Sequence, residues 1–457
     1  MTANQDDFYT SVGMELYKMG EIEPAITAYG IALAHDPGRS DTFVNLGVAL
    51  EAAGRPSAAA ACYRQAVAVE PMNAVALHNL GLVLLGQGQV EEALPYLRRA
   101  TTANPTLPQS HVESGNALMA MSRTEEAILA YRRAVDLAPD MPEYRFNLAL
   151  ALLANGRLKE GFQEYEWRRR IDKYRRDVPA PEWDGEPLRG RTIVLHAEQG
   201  FGDALQFARY APLVAAKGGR VILWVHRALV RLLATVPGVT AAVASQPPHS
   251  AFDVHAPLMS LPHLFGTELD TVPGDVPYIF PDPDAAAAWE ERLAGLPGLK
   301  IGLVWAGNPR LHDRDAAEID RHRSLRLEQF APLAAISGVT FVSLQKGDST
   351  GQAKAPPAGL RLVDWMDEVT DFADTAALVA NLDLVISVDT SVVHLAGAMG
   401  KPVWILSRFD GCWRWLENRD DSPWYPTARL FRQPALGQWD PVLLKVADAL
   451  RQWAAAP

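Results

Sequence analysis

Cysteine is almost missing from this chain. Cys62 and Cys412 are the two that occur in 457 residues, and two such distant thiols build no disulfide framework, so a reducing compartment fits. Long apolar runs are missing too, with no stretch approaching the roughly eighteen residues that a membrane-crossing helix needs. The opening Met1-Thr2-Ala3-Asn4-Gln5-Asp6-Asp7 has neither the basic start nor the apolar core of a secretory leader. These absences predict a soluble cytoplasmic protein without membrane insertion. Basic charge is in deficit: 43 Lys and Arg stand against 54 Asp and Glu, a net −11. That balance excludes a general nucleic-acid or anionic-membrane binder and leaves any anionic ligand to a local pocket. No His/Cys spacing suggests zinc. Asp282-x-Asp284 and Asp313-x-Asp315 imitate a metal-binding pair, but the first sits among prolines in a turn and the second in a loop, so no metal is expected.

What the chain has is length, enough for two or three domains with cores of their own, and in its first third a period. Pro37, Pro71, Pro105 and Pro139 recur at a step of 34 residues, the period of a two-helix repeat. On the same step fall Gly47, Gly81, Gly115 and Ala149, then Gly20, Gly54, Gly88, Ser122 and Gly156. Ala25, Ala59, Ala93, Ala127 and Gly161 repeat likewise, as do Tyr29, Tyr63, Leu97, Tyr131 and Tyr165. Small residues let paired helices approach, the ring or leucine fills the gap between them, glycine turns the chain, and proline ends the second helix. About five such units are expected between residues 5 and 170.

These motifs resemble the tetratricopeptide family, whose Glu-Ala-x-x-x-Tyr pattern is seen in Glu126-Ala127 with Tyr131 and in Glu92-Ala93 with Leu97 in place of the ring. Such arrays curve, and their first helices line a concave groove where a polypeptide can lie. Asn45, Asn79 and Asn147 share one repeat position, with Glu113 in the remaining unit. Stacked asparagines could bond both the C=O and the N–H of a bound backbone, which makes them the candidate acceptor-binding residues. The arrangement is similar to that of peptide O-GlcNAc transferases, where such a ladder holds the acceptor; an asparagine common to these repeats that merely caps or solvates a helix is the alternative. After Arg168-Arg169-Arg170, expected on a solvated or interdomain face, three prolines, Pro179, Pro181 and Pro187, interrupt residues 178–187 and mark a connector. Trp167 and Trp183 argue that it is not floppy.

From Arg191 onward short apolar runs alternate with helical stretches, the pattern of parallel α/β folding. Strands are expected at 192–196, 221–225 and near 252–254. After a helical stretch at 285–296, a second series is expected at 301–305, 340–344, 361–363, 384–388 and 403–406. Two such lobes place a cleft at the carboxyl ends of their strands. Directly after the first strand comes Glu198-Gln199-Gly200-Phe201-Gly202-Asp203, where Gly200 and Gly202 permit a tight turn and close approach. Asp203 suits either a helix cap or a general base for an acceptor hydroxyl. After strand 384–388, Asp389, Thr390 and Ser391 open a helix whose free N–H groups and two hydroxyls would suit a diphosphate. His394 lies one turn on, and either bonds a phosphate or is an ordinary core histidine.

Gly-Asp after the first strand, followed near the C-terminus by Ser387-Val388-Asp389-Thr390, His394-Leu395-Ala396 and Pro402-Val403, is similar to the heptosyltransferase-like glycosyltransferase family 9. The resemblance covers about residues 191–457. It implies a metal-independent GT-B fold of two Rossmann-like lobes, Asp203 as base, and Asp389, Thr390, Ser391 and His394 at the donor nucleotide and diphosphate. Ser391 departs from the glycine frequent there. The stretches 305–309, 321–325 and 422–426 look like those of bacterial proteins that fuse tetratricopeptides to such a transferase, some of which modify flagellin. In that light Asn308, Arg323, Ser324, Gln345 and Lys346, all just beyond strand ends or in these stretches, are expected to contact donor phosphates; ordinary surface polarity is the alternative. The expected organisation is an α-solenoid at 1–172, a connector at 173–190, an acceptor-side lobe at 191–284 and a donor lobe at 285–457. The expected function is sugar transfer from a nucleotide sugar to a Ser or Thr hydroxyl of a protein held by the repeats. A non-catalytic scaffold with a degenerate transferase domain, and a transferase for a glycan or lipid acceptor, remain as alternatives.

Overall fold

The computed structural model describes residues 3–309 and 313–455, and the chain divides into two compact units between Ala151 and Leu152. In the first, helices α1 (Ala3–Lys18), α2 (Ile22–His35), α3 (Ser40–Ala52), α4 (Pro56–Val69), α5 (Ala74–Gly86), α6 (Val90–Ala103), α7 (Pro108–Ala120) and α8 (Thr124–Leu137) pack as successive pairs, and α9 (Pro142–Ala154) runs across the division. The period seen in the sequence has a steric cause. A Cβ placed on Gly47 would fall 2.4 Å from the Tyr63 ring, one on Gly81 2.5 Å from Leu97, and one on Gly115 2.5 Å from Tyr131. Each large side chain is buried and occupies the space that a side chain on the facing helix would need. The turn glycines Gly20, Gly54, Gly88 and Gly156 all sit at positive φ, and Ser122 adopts the same conformation at 54°, where L residues are strained. Because the Tyr63 ring is fully buried and cannot swing into solvent, Gly47→Ala is expected to cost about 1–3 kcal/mol. Thermal melting checks this.

The first helix wholly within the second unit is α10 (Leu158–Tyr165), the second helix of the fifth repeat, so that the repeat pattern runs past the structural division. The helix is recruited by aromatic packing: Phe162 meets the edges of Phe207, Trp413 and Trp424 at centroid distances of 5.7–6.4 Å. The connector is pinned as well. Trp183 is buried, its backbone N–H donates to His255 O at 2.8 Å, and its indole donates to Glu186 O.

Two wholly parallel sheets follow. The first, in the order β3-β2-β1-β4, comprises β1 (Thr192–His196), β2 (Arg220–Trp224), β3 (Val239–Val243) and β4 (Val254–Pro257). The second, in the order β10-β9-β8-β5-β6-β7, comprises β5 (Leu299–Val304), β6 (Val339–Ser343), β7 (Leu362–Val363), β8 (Leu384–Val388), β9 (Val403–Ser407) and β10 (Ala428–Arg432). Apolar residues on both faces of the central strands are buried, Ile301, Leu303, Leu384 and Ile386 on one face and Val304 and Val385 on the other, as parallel strands covered on both faces require. Helices α11 (Phe201–Phe207), α12 (Pro283–Ala294), α13 (Arg314–Arg323), α14 (Phe372–Ala380), α15 (Ser391–Ala398) and α16 (Asp440–Ala454) accompany the sheets. The strand order reverses between β1 and β4 in one sheet and between β5 and β8 in the other, and such switch points open crevices at the strands' carboxyl ends. No described helix is long and apolar enough to cross a membrane.

Candidate functional site

The loop after β1 and the loop after β8 meet. Gly202, in the first turn of α11, lies against the His394 imidazole of α15: a Cβ on Gly202 would fall 2.6 Å from His394 Cδ2. The close approach foreseen for this glycine is therefore to a side chain of the opposite lobe. Gly200 has ordinary φ, −73°; its N–H donates to Asp203 Oδ2 at 2.8 Å. The other Asp203 oxygen takes a charge-assisted hydrogen bond from Arg414 Nη2. Asp203 therefore caps its own helix, and each oxygen keeps a second lone pair with which to meet a hydroxyl.

Arg414 itself is buried. Its Nε donates to Gln206 Oε1 at 2.8 Å and its Nη1 to Cys412 Sγ at 3.2 Å, and its guanidinium lies 4.3 Å from the Trp413 ring centroid. Arg209, also buried, reaches from the first lobe to Trp424 O at 2.8 Å and to the Tyr278 hydroxyl. Neither arginine stands out in the sequence except by its aromatic neighbours, Trp413 and Trp415 on one side and Tyr210 on the other.

His394 turns out to be a core residue. It is buried, its Nδ1 lies 3.0 Å from the Tyr425 hydroxyl, and its ring stacks on Trp415 at 5.3 Å. Burial, with Arg414 and Arg209 nearby, lowers its pKa far below the ordinary histidine range. The expected phosphate contact is thus carried by a neutral imidazole that seats Gly202, with Nδ1 committed to Tyr425. The role that the structure gives His394 is to hold α11 against α15.

At the β5–β8 switch point the loop 305–308 and the α15 N-terminus follow neighbouring parallel strands. Thr390 is its N-cap, with Oγ1 3.1 Å from Ser387 Oγ, and Asp389 and Ser391 flank it, half-buried. Arg323 Nη1 donates to Asp389 O at 2.9 Å while its Nη2 pairs with Asp320 at 2.9 Å. Ser324 Oγ accepts from Gly307 N at 2.9 Å and donates to Asp320. Glycine at 307 leaves room for this pair, since a Cβ would sit 2.2 Å from Asp320 Oδ1 and 2.4 Å from Arg323 Nη2. Arg323 and Ser324 thus brace the crevice, and Asn308 is exposed at its rim.

One expected donor contact is corrected, and a second residue is partly committed elsewhere. Gln345 is buried and spends all four of its hydrogen-bonding positions on backbone: Oε1 accepts from Trp305 N and Ala306 N, and Nε2 donates to Ala306 O and Lys346 O. Nothing is left for a phosphate. Lys346 Nζ donates to the carbonyls of Met366 and Val369, tying down the next loop. In each Asp-x-Asp pair the first residue caps a helix, Asp282 accepting from Ala285 N and Asp313 from Ala316 N, while the side chain of Asp315 lies outside the described residues. The arginine run is corrected in part. Arg168 is fully buried, although Arg170 is exposed and stacks on Trp167.

In the repeat unit Asn45, Asn79 and Glu113 recur on α3, α5 and α7, half-buried, and Asn147 follows on α9. Asn79 comes within hydrogen-bond reach of the Tyr63 hydroxyl. Glu113 accepts from Asn116 Nδ2 at 3.0 Å, yet burial pushes its carboxyl above the usual range. A raised carboxyl penalises the fold as pH rises through the folded value, and the penalty is absent in acid. Glu113→Gln is therefore expected to raise Tm by a few degrees at neutral pH and to lose that advantage in acid; melting curves at both conditions decide it.

The tetratricopeptide repeat family matches at residues 13–61, 44–108 and 112–168, and glycosyltransferase family 9 (heptosyltransferase) matches at 367–406, the stretch that contains β8 and α15. FlbA of Caulobacter vibrioides is 32% identical over 327 residues, which cover 65% of this chain and 53% of that protein, so the chain spans about half the length of this curated relative. Among solved structures, YrrB, described as a TPR protein with an unusual peptide-binding site, is similar over 36% of this chain and 84% of its own, with 20% identity and a TM-score of 0.33. MamA from Desulfovibrio magneticus is similar over 38% of this chain and 99% of its own, with 22% identity and a TM-score of 0.35. With its repeats and the family match at β8 and α15, the chain is a tetratricopeptide-repeat protein joined to a glycosyltransferase family 9-like domain.

Proposed function

We propose that the chain is a cytoplasmic transferase that moves a sugar from a nucleotide donor to a Ser or Thr hydroxyl of a polypeptide held by the repeats. The observation that carries the reading is the contact of Gly202 with His394, which brings a carboxylate on one lobe next to the helix N-terminus of the other. Asp203 would take the proton of the acceptor hydroxyl as its oxygen attacks the anomeric carbon and the bond to the diphosphate breaks. The diphosphate would lie on the first turn of α15, against the N–H groups and hydroxyls of Thr390 and Ser391. Charge would be met by that helix end and by Arg323 releasing Asp389 O, without a resident metal. Gly307 and Gln345 would hold the crevice open by fixing its walls.

The test is turnover of nucleotide sugars by the full chain with polypeptide acceptors, flagellin included, and with a chelator present. Transfer to protein that persists under chelation is expected, and Asn45→Ala, Asn79→Ala and Asn147→Ala combined should raise the acceptor KM about tenfold or more, as expected from losing several backbone hydrogen bonds. Donor cleavage with unchanged protein KM would move the reading to a glycan or lipid acceptor. Absence of donor binding would leave a scaffold.

A further inference from the structure

We propose that the polypeptide held by the repeats is basic, with lysine or arginine side chains seated on Glu113 and on the acidic residues beside the asparagine row. The inference rests on the acceptor role given to the repeats above and names the chemistry of that acceptor. Packing defines the groove. Helix α3 packs on α1 and α5, and α5 on α7, more closely than the second helices pack on one another, so the first helices line the inside of the curve. Thr10 meets Thr42 across α1 and α3 at 3.1 Å, and Ser110 meets His78 across α7 and α5 at 3.0 Å.

Charge is divided unevenly between the two sets of helices. The first helices α1, α3, α5, α7 and α9 carry seven acidic residues against two basic ones, whereas α2, α4, α6 and α8 carry six against five. Both bases of the first set are occupied: Lys18 pairs with Glu15 at 2.8 Å, and Arg145 donates to Pro139 O at 2.7 Å. On the second helices arginines answer the acids, as Arg64 does Glu92 and Arg98 does Glu126. The negative charge left over therefore belongs to the inner helices.

Residues four apart share one face of a helix. Asp41 stands one turn before Asn45 on α3, and Glu143 one turn before Asn147 on α9, both exposed. Neither has a basic partner among the described residues. First-turn acids also complement the helix dipole, so these two alone decide nothing. Glu113 is different. It stands in the asparagine row itself, in the middle of α7 where no helix end asks for a carboxylate, and its hydrogen bond comes from the neutral Asn116. Burial raises its carboxyl, so in the free protein its charge is a cost, which a cation in the groove would offset. Between these acidic ends the face is uncharged, with Val75 exposed one turn before Asn79 on α5. A cationic side chain gains a charge-assisted hydrogen bond at Glu113, while an acidic one is repelled there. Neighbouring first helices stand about 10 Å apart and an extended chain advances about 3.3 Å per residue, so the two repeat steps from Asp41 to Glu113 correspond to roughly six residues.

Fluorescence anisotropy of the full chain with labelled Ser/Thr peptides tests this. The peptides differ at two positions roughly six residues apart, which hold lysine, glutamine or glutamate. The lysine peptide should bind tightest, weaken as salt rises, and lose about tenfold in affinity in Glu113→Gln. Glu125→Gln, at an exposed position on the second helix α8, should leave it unchanged. Glu113→Gln is expected to melt no lower than the wild type, so binding lost in that variant is not folding lost. Equal affinity for the lysine and glutamine peptides, no effect of Glu113→Gln, or an equal effect of Glu125→Gln would overturn the basic acceptor. If binding in that case still falls when Asn45, Asn79 and Asn147 are together replaced by alanine, the repeats remain a polypeptide holder of another specificity. If none of the three peptides binds, the acceptor role of the repeats fails along with the inference.

Discussion

Replacing Asp203 by asparagine is expected to lower the proposed transfer rate by about 10²–10⁴-fold while leaving donor binding intact. The asparagine is close to isosteric, so one side-chain oxygen can still accept from Gly200 N–H, the contact that caps α11. What it removes is the negative charge and the ability to take a proton. It also leaves Arg414 facing a neutral group. Arg414 is buried, and its remaining partners are Gln206 Oε1 and Cys412 Sγ, so some loss of stability is expected alongside the kinetic effect. Asp203→Glu separates the two effects. It keeps the charge for Arg414 but shifts the oxygens by one methylene, and a misplacement of that size costs heavily at a reacting centre. Both variants should therefore lose kcat, with Asp203→Glu the more stable of the two. The measurements are Tm, nucleotide affinity by calorimetry and single-turnover transfer. If either variant turned over at the wild-type rate, Asp203 would leave the mechanism and remain only a cap.

The repeats were legible because they obey one geometric rule many times over. The glycine opposite a ring at Gly47 and Tyr63, or at Gly115 and Tyr131, is a local steric requirement that any sequence satisfying it must repeat. The central strands were legible for a related reason, since burial on both faces demands nearly continuous apolar runs such as Leu384–Val388, where Ser387 is the one polar residue. Two edge strands were not expected. The β3 strand, Val239–Val243, is rich in alanine and only half-buried, and β10, Ala428–Arg432, carries arginines among its apolar residues, so neither has the pattern of a covered strand.

The candidate site was legible only in its loops. Asp203 and Asp389 follow β1 and β8, where strand ends mark them as candidates and the family resemblance gives them their expected roles. Arg414, Arg209 and Tyr425 come from segments far apart in sequence, and their burial is fixed by tertiary packing. Gln345 and Lys346 show the converse. Polar residues after a strand end look like ligands in a sequence, but a loop also needs its backbone groups satisfied, and these two side chains do that. His394 went the same way, because the helix face that points toward a ligand in isolation is covered here by Gly202 and Trp415.

Arg168→Met is expected to cost about 3–5 kcal/mol of stability in the second unit, and to impair the proposed transfer at temperatures where the protein is still folded. The guanidinium is completely buried and has four acceptors: Glu166 Oε1 at 2.7 Å, Glu198 Oε2 at 2.8 Å, Ser260 Oγ at 2.9 Å and Tyr165 O at 3.1 Å. Methionine fills much of the volume but abandons two carboxylates, of which the Glu198 side chain is 2% exposed. Burial already raises the Glu198 carboxyl above its usual range, against the pull of Arg168. Without the arginine it rises further. A raised carboxyl weakens the folded state as pH rises through its folded value, so the deficit of the variant should be largest at neutral pH and shrink in acid. Arg168→Lys should rescue little, because one ammonium cannot reach four acceptors spread around a planar fork. Adding Glu198→Gln to Arg168→Met removes one stranded charge and should recover part of the loss, an interaction that a double-mutant cycle reads directly. The kinetic effect follows from chain connectivity. Glu198 is held by Arg168, Gln199 donates to the Tyr165 hydroxyl at 2.9 Å, and the next residues are the turn that carries Asp203. The last repeat helix and the residues after it thereby anchor the loop of the proposed base. A variant that melts like the wild type would mean that this cluster contributes no net stability, and unaltered transfer kinetics in a destabilised variant would separate the anchor from the chemistry.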